Sequence, residues 1–357
     1  MKILIVKTSA IGDVIHTLPA LHAIRARYPD AHITWLVEEA AADIIAGHPD
    51  LDRVLVSRRK TWVKRLRPGS FRATISEIRR FLGELRDTSY DLIIDFQGLL
   101  KSGVLIGLAR GRRKVGFGRG MEHAECSWIF LNERIPAVDM DIHAVDRECL
   151  LLEGIGIKCP EKTFFFPPLA ESRELVLDML IRDGYDRKST IVALNPVAKW
   201  PTKLWHNGGF ARVADELVHD GCFVVFTGSA EDQPVIGSIR QEMKSRALNW
   251  AGRTTLKTLA ALYDMAAVVV STDTGPMHIA AAVNTPVVAL FGPTAPWRTG
   301  PYGDRHQVLR VDMDCSPCLK RECATMTCMK EITPEQVIAA VRRAVAGITD
   351  RIREEPA

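Results

Sequence analysis

The sequence predicts an α/β protein built from two doubly wound, Rossmann-like domains facing a central cleft, and three observations carry that expectation. At 357 residues the chain is too long for one ordinary core and suits two. Short apolar runs alternate with amphipathic segments, the pattern of a parallel sheet covered by helices. The alternation stops at Phe164-Phe165-Phe166-Pro167-Pro168 and restarts at Ile191. Consecutive prolines neither continue a helix nor donate to a central strand, which puts the boundary there, with domains over 1–168 and 169–357.

In the first half, Ile3 to Val6, Ile33 to Val37, Val54 to Val56 and Leu92 to Ile94 are the strand candidates. Val14 to Arg27 and Phe71 to Arg86 are the helical stretches between them. In the second half the strands fall at Ile191 to Leu194, Cys222 to Phe226, Ala267 to Val270 and Val287 to Leu290, and Pro334 to Ala346 reads as a final helix. Ligands of such folds bind beyond the carboxyl ends of the strands, so the loops there are searched first.

Composition narrows the class. The chain is 47% apolar and 25% charged with a net charge of +4, which fits a soluble globular protein and not a disordered one. The apolar run near Met1 is closed by Lys7, too short for a signal peptide or a membrane span. Of eight cysteines, Cys126, Cys149, Cys159 and Cys222 are scattered without pairing signals, and a reducing cytoplasm is expected. Cations are uneven: Arg53, Arg58, Arg59, Lys60, Lys64, Arg65, Arg67 and Arg72 follow one another with no acid among them, and Arg110, Arg112, Arg113, Lys114 and Arg119 form a second group. A basic face on the first domain suits an anionic acceptor or an anionic membrane surface. Nucleic acid ranks lower, because no reader motif or aromatic interleaving accompanies the charges.

Four loops carry chemistry. After Val268-Val269-Val270 comes Ser271-Thr272-Asp273-Thr274-Gly275-Pro276-Met277-His278. Gly275 permits close backbone approach and Pro276 suits a first helical turn, so free amides and the positive helix end would face a phosphate, with Thr274 as an added donor. Asp273 would repel a diphosphate, so it accepts from sugar hydroxyls or orders the turn. A plain helix cap by Asp273 or Thr274 is the alternative. After Leu194, the segment Asn195 to Trp205 brings Lys199, Lys203, Trp200 and Trp205, cations that suit a leaving phosphate unless the loop is merely a packed surface. After Phe226, Gly228 precedes Asp232, an acid placed for a ribose diol. After Val6, Lys7-Thr8-Ser9-Ala10-Ile11-Gly12-Asp13 has neither dinucleotide-fingerprint nor P-loop spacing. It offers Asp13 at a helix start, either as a general base or as a first-turn acid favoured by the helix dipole. Finally Cys315, Cys318, Cys323 and Cys328 have the spacing C-x2-C-x4-C-x4-C, open to a structural zinc, to disulfides or to free packed thiols.

Taken together, the segments Lys7 to Leu21, Asp95-Phe96-Gln97-Gly98-Leu99-Leu100-Lys101-Ser102 and Asp273 to His278 with Phe291-Gly292-Pro293-Thr294 resemble the ADP-heptose lipopolysaccharide heptosyltransferases of Gram-negative bacteria (glycosyltransferase family 9). The resemblance covers almost the whole chain. It implies the GT-B fold, a final helix tending back toward the first domain, and an inverting transfer that needs no metal and no cofactor beyond the ADP-sugar donor. It implies Asp13 as the base and Lys203, with the amides of Thr274 and Gly275, as the leaving-group site. Asp232 would meet ribose, the backbone near Thr254 adenine, and Asp273 the heptose, with His278 in the same donor motif. The early segments resemble the branch adding the first heptose to the Kdo of lipid A. Against that branch, His123 stands where it usually has an arginine for the acidic acceptor, which leaves Lys60, Lys64, Lys101 and Arg147 as candidate contacts to acceptor carboxylate or phosphate. The cysteine loop is more like the branch adding the second heptose. The enzyme is expected on the cytoplasmic face of the inner membrane as a peripheral protein, with ADP-heptose and Kdo-lipid A or the heptosylated core as partners and no nucleic acid. Two other readings stay open: a transferase of this architecture using a UDP sugar, and a non-enzymatic binder of sugar nucleotide or lipopolysaccharide.

Overall fold

The computed structural model describes residues 1–65, 71–121 and 125–354, with side chains as far as 347. The chain divides into two compact units, Met1–Pro168 and Leu169–Ala357.

Unit 1 holds β1 (Lys2–Val6), β2 (His32–Glu38), β3 (Arg53–Ser57), β4 (Ser89–Asp95), β5 (Arg110–Phe117) and β6 (Glu133–Ile135). They form one sheet in the order β3-β2-β1-β4-β5-β6, every pair parallel. Its helices are α1 (Ile11–His16), α2 (Leu18–Arg27), α3 (Glu39–Ile45), α4 (Arg59–Arg65), α5 (Phe71–Arg86), α6 (Leu100–Leu108) and α7 (Ala144–Glu153). Unit 2 repeats the plan with β7 (Ile191–Asn195), β8 (Phe223–Phe226), β9 (Leu248–Asn249), β10 (Val268–Thr272), β11 (Val287–Leu290) and β12 (Gln307–Leu309). Their order is β12-β11-β10-β7-β8-β9, again all parallel. Helices α8 (Ala170–Arg182), α9 (Asn207–His219), α10 (Gln233–Glu242), α11 (Leu256–Met265), α12 (Gly275–Ala282), α13 (Pro296–Thr299), α14 (Thr327–Lys330) and α15 (Pro334–Glu354) accompany it.

Both sheets reverse direction of winding beside their first strand, between β1 and β4 and between β7 and β10. At such a switch point the loops leaving two adjacent strands part to opposite faces and open a crevice, which is where open α/β sheets bind ligands. The central strands carry continuous apolar runs because helices cover both faces. Ile3, Leu4, Ile5 and Val6, like Val268, Val269 and Val270, are fully buried. They make a rigid floor from which the loops project.

The sequence differs from the structure in a few instructive places. The expected helix Val14 to Arg27 breaks at Thr17 into α1 and α2, because Pro19 has no N–H to continue the ladder. β5 contains Arg110, Arg112, Arg113 and Lys114, read from sequence only as a basic group; the strand's charges hid it. Cys149 and Cys159 correct the expectation of unpaired thiols, since the turn after α7 brings them into a disulfide. The final helix α15 falls where the sequence put it, and in unit 2 its Val337, Ile338, Ala340 and Val341 enter the core while Arg342 forks onto Asp220 at 2.7 and 2.9 Å. No described helix is long and apolar enough to cross a membrane.

Candidate active site

In unit 2 the loops leaving β7, β10 and β11 meet through one carboxylate. The loop after β7 turns through Pro201–Lys203, and the Lys203 ammonium reaches Asp273 Oδ2 at 2.6 Å. Thr294, beyond β11, donates its hydroxyl to the same oxygen at 2.6 Å. The side chains of Lys203 and Asp273 are 16% and 6% exposed, so the pair is largely out of water and losing either member would strand a charge. The loops are also tied at their bases: Val197 O accepts from Asn195 Nδ2 at 3.3 Å and from the Thr272 hydroxyl at 2.9 Å. Lys203 Nζ further lies 4.6 Å from the centre of the Trp200 ring. From the sequence, Asp273 either accepts from sugar hydroxyls or orders the turn, and its bonds to Lys203 and Thr294 do the latter.

The start of α12 lies beside this pair. Thr274 is its N-cap in extended conformation and makes no side-chain cap bond, with Pro276 in the first turn. The Asp273 carboxylate is engaged with Lys203 and Thr294, so neither side chain follows the plain capping alternative. The helix start therefore presents backbone donors and its positive dipole end at a switch point, the arrangement that binds phosphate. His278 is buried within the same helix. Asp232 closes a 3-10 turn after β8, its Oδ2 accepting from Ser229 N at 2.7 Å and Ser229 Oγ at 2.6 Å. Thr254, half-buried, precedes the Thr255 cap of α11. Both sit on loops at the carboxyl edge of the same sheet, and the structure does not bring either into the Lys203–Asp273 cluster.

In unit 1 the corresponding crevice is organised by Gln97. Its Oε1 accepts from Thr8 N, Thr8 Oγ1 and Ser9 N at 2.8, 2.9 and 2.8 Å, which fastens the loop after β1 to the loop after β4. Asp13, half-buried in the first turn of α1, accepts from Ala10 N at 2.7 Å. That is the bond of a first-turn acid, and it also fixes the carboxylate in the crevice loop. Beneath it Lys7 is buried, donating to Glu148 Oε1 at 2.6 Å and Phe96 O at 2.9 Å. Burial works against the Lys7 charge, but Glu148, Asp13 and Asp95 outweigh it and hold its pKa above the ordinary value. Burial pushes the Asp95 carboxyl up, although the amides of Gln97 and Gly98 and the Ser102 hydroxyl bind it.

Of the acceptor candidates, Lys60 and Lys101 are brought together on Glu38, at 3.4 and 3.5 Å. Arg59 joins them at 3.1 Å, and Lys101 also bonds the Ser9 hydroxyl. Burial works against the Glu38 charge, yet Lys101, Arg59 and Lys60 together keep its carboxyl below the usual range. Sequence reasoning missed both Glu38 and Arg59 as members of this cluster. The signal was available, since Glu38 ends β2 and Arg59 opens the helix after β3, both at the carboxyl edge of the sheet. Lys64 is exposed on α4, outside the cluster. Arg147 on α7 donates to Met140 O at 3.0 Å and to Ile142 O, which orders the preceding loop. His123 lies outside the described residues.

The basic face is more compensated than its sequence suggests. Arg53 meets Asp87, Arg58 meets Glu39, Arg65 meets Glu77 and Arg113 meets Glu133, acids supplied from other elements. Cys315, Cys318, Cys323 and Cys328 form no disulfide, and no group of three or more described His, Cys, Asp or Glu side chains is placed to hold a metal.

The glycosyltransferase family 9 (heptosyltransferase) model matches residues 78–329. Lipopolysaccharide heptosyltransferase 1 of Pseudomonas aeruginosa is 33% identical over 329 residues, 90% of this chain and 87% of that protein. The protein of the same name from Escherichia coli K12 is 28% identical over 87% of this chain and 94% of its own length. Among solved structures, a family 9 glycosyl transferase from Veillonella parvula superposes with TM-score 0.83 at 23% identity, covering 97% of each chain. E. coli heptosyltransferase WaaC with ADP gives 0.78 at 24%, covering 96% of this chain and all of that one. The structural likeness is one of fold, the two-sheet GT-B architecture.

Proposed function

Because the chain belongs to glycosyltransferase family 9, the heptosyltransferases, we propose that it transfers a heptose from ADP-heptose to the Kdo-lipid A inner core of lipopolysaccharide. The observation that carries this reading furthest is the Lys203–Asp273–Thr294 cluster beside the open start of α12, a set of fixed donors at a switch point. WaaC, a structural neighbour, was solved with ADP and with ADP-2-deoxy-2-fluoro heptose.

In this mechanism an acceptor hydroxyl attacks the anomeric carbon of the donor while the bond from that carbon to the β-phosphate oxygen breaks, with inversion and an oxocarbenium-like transition state. Asp13 takes the hydroxyl proton. Negative charge accumulates on ADP, where Lys203 and the amides of Thr274 and Gly275 stabilise it, so that no metal or cofactor is called for. Asp232 meets the ribose, the backbone near Thr254 the adenine, and the Asp273 turn with His278 the sugar side of the donor. On unit 1, the Arg59, Lys60 and Lys101 cluster receives the anionic acceptor, with Lys64 and Arg147 in lesser parts. Glu38 offsets one of the three charges and leaves an excess for the acceptor. The acceptor's lipid would place the enzyme at the cytoplasmic face of the inner membrane as a peripheral protein.

The test is an acceptor panel with ADP-heptose, product mass read by mass spectrometry. One heptose added to Kdo-lipid A, with none added to the already heptosylated core, is expected. The converse pattern would make the chain a second-heptose enzyme, and transfer only from a UDP sugar would refute the donor assignment.

A further inference from the structure

We propose that Arg321, on the cysteine-bearing loop between β12 and α14, is a further phosphate-binding cation of the donor site, positioned there by Trp200 and by the anchoring of its loop. The proposal rests on the ADP-sugar reading of that site.

Two cations share one indole. Lys203 Nζ lies 4.6 Å and the Arg321 guanidinium 4.8 Å from the centre of the Trp200 ring. The ring attracts each through its quadrupole, but like charges held this close repel each other unless anions come between or beside them. Lys203 has its anion in Asp273. Arg321 is exposed, and among the described residues its guanidinium meets no carboxylate. With Lys203 offset by Asp273, the pair contributes little net charge, whereas a diphosphate brings a negative charge on each phosphate. Arg321 is the cation beside the pair whose charge is still to be matched. A planar guanidinium with paired donors suits two phosphate oxygens better than an ammonium does.

The loop is fastened to both halves of the site. Thr202, the neighbour of Lys203, donates its hydroxyl to the carbonyl of Lys320, the neighbour of Arg321, at 2.8 Å. Pro293 O accepts from the amides of Cys318 and Leu319 at 3.0 and 2.8 Å, and Ser316 Oγ donates to Gly292 O at 2.6 Å. Gly292 and Pro293 lead directly into Thr294, the hydroxyl that holds Asp273. Gly292 also permits close approach of α14, which follows the loop, since a Cβ there would lie 2.6 Å from Met329 Sδ and 3.0 Å from Cys328 Sγ. These ties hold the backbone leading to Arg321 against the Lys203 turn and the segment before Thr294, which limits where its guanidinium can sit.

The experiment is calorimetric binding of ADP, AMP and adenosine to the full chain, wild type against Arg321→Ala and Arg321→Lys, at low and high salt, with the melting temperature recorded for each. Arg321→Ala is expected to weaken ADP about tenfold, AMP less and adenosine not at all, and to flatten the salt dependence of ADP binding, while Arg321→Lys recovers part of the loss. Thr202→Val, which cuts the tie to Lys320, is expected to weaken ADP by a smaller factor and to spare adenosine. Unchanged ADP affinity in Arg321→Ala, or an equal loss of ADP and adenosine, would overturn the proposal; unchanged ADP affinity in Thr202→Val would overturn the loop's part in it. A wild-type chain that binds UDP and not ADP would instead sink the underlying donor reading.

Discussion

The carboxyl edges of the two sheets are built on the same topology and solve opposite electrostatic problems. In unit 2 one carboxylate, Asp273, faces one ammonium, Lys203, and both are largely buried. In unit 1 one buried carboxylate, Glu38, gathers Arg59, Lys60 and Lys101, whose side chains keep more of their exposure to water. The first arrangement is neutral and stiff, and relies on aimed donors; the second keeps surplus positive charge in a solvated place. Preorganised donors suit charge that develops during a reaction, while a solvated excess suits capture of an anion already charged in solution. That contrast is what the proposed function uses, with the diphosphate at the first edge and the anionic acceptor at the second.

Substitutions can break this contrast. Asp13→Asn should have the largest effect, lowering kcat by about 10²- to 10⁴-fold, the usual contribution of a general base, while ADP affinity measured by calorimetry stays near wild type. Retained turnover would remove Asp13 from the chemistry and leave it as the acid that binds Ala10 N. Lys203→Ala should follow, with a loss of roughly 10²-fold in kcat, a weaker Kd for ADP and a lower melting temperature, because it strands Asp273. An unchanged Kd would refute its place at the diphosphate. Glu38→Gln should act on the other substrate alone. Without their shared carboxylate the three cations lose their common anchor, and the KM for acceptor should rise about fivefold, roughly 1 kcal/mol, with ADP binding untouched. A change in ADP binding instead would show that the edges are not separable in this way.

The smallest effect is a pH dependence. The Glu38 carboxyl is held below its usual range in the folded protein, against the pull of burial, by Lys101, Arg59 and Lys60. A depressed folded pKa means that its stabilisation is fully present above the unfolded value of about 4.3 and is lost as pH falls through the folded one. The melting-temperature difference between wild type and Glu38→Gln should therefore be constant above about pH 5 and shrink below about pH 4. A difference that grows on acidification would reverse the assigned sign.

Much of this was legible from residue order. Apolar runs such as Ile3 to Val6 and Val268 to Val270 announce buried parallel strands, because only a strand covered on both faces can be apolar at every position. Gly275-Pro276 after such a run announces a helix start with unspent amides. Strand β5 was not legible, since its first half is arginine-rich and half-solvated, and period and hydrophobicity both fail there. Nor was the neutralisation of the basic run, whose acids Asp87, Glu39 and Glu77 come from other elements.

Local order, then, determined the strands, the loops at their ends and the residue types those loops carry, because periodicity and turn chemistry act over a few positions. Partnership was decided only by the tertiary structure. Lys203 and Asp273 are 70 positions apart by their numbers, and Glu38 and Lys101 are 63 apart. A sheet that reverses its winding at β1 and β7 sets such loops side by side, and electrostatic attraction between charged ends then selects the pairs. Asp273, which in the sequence is an acid with no evident partner, becomes in that setting the residue that holds Lys203 in place.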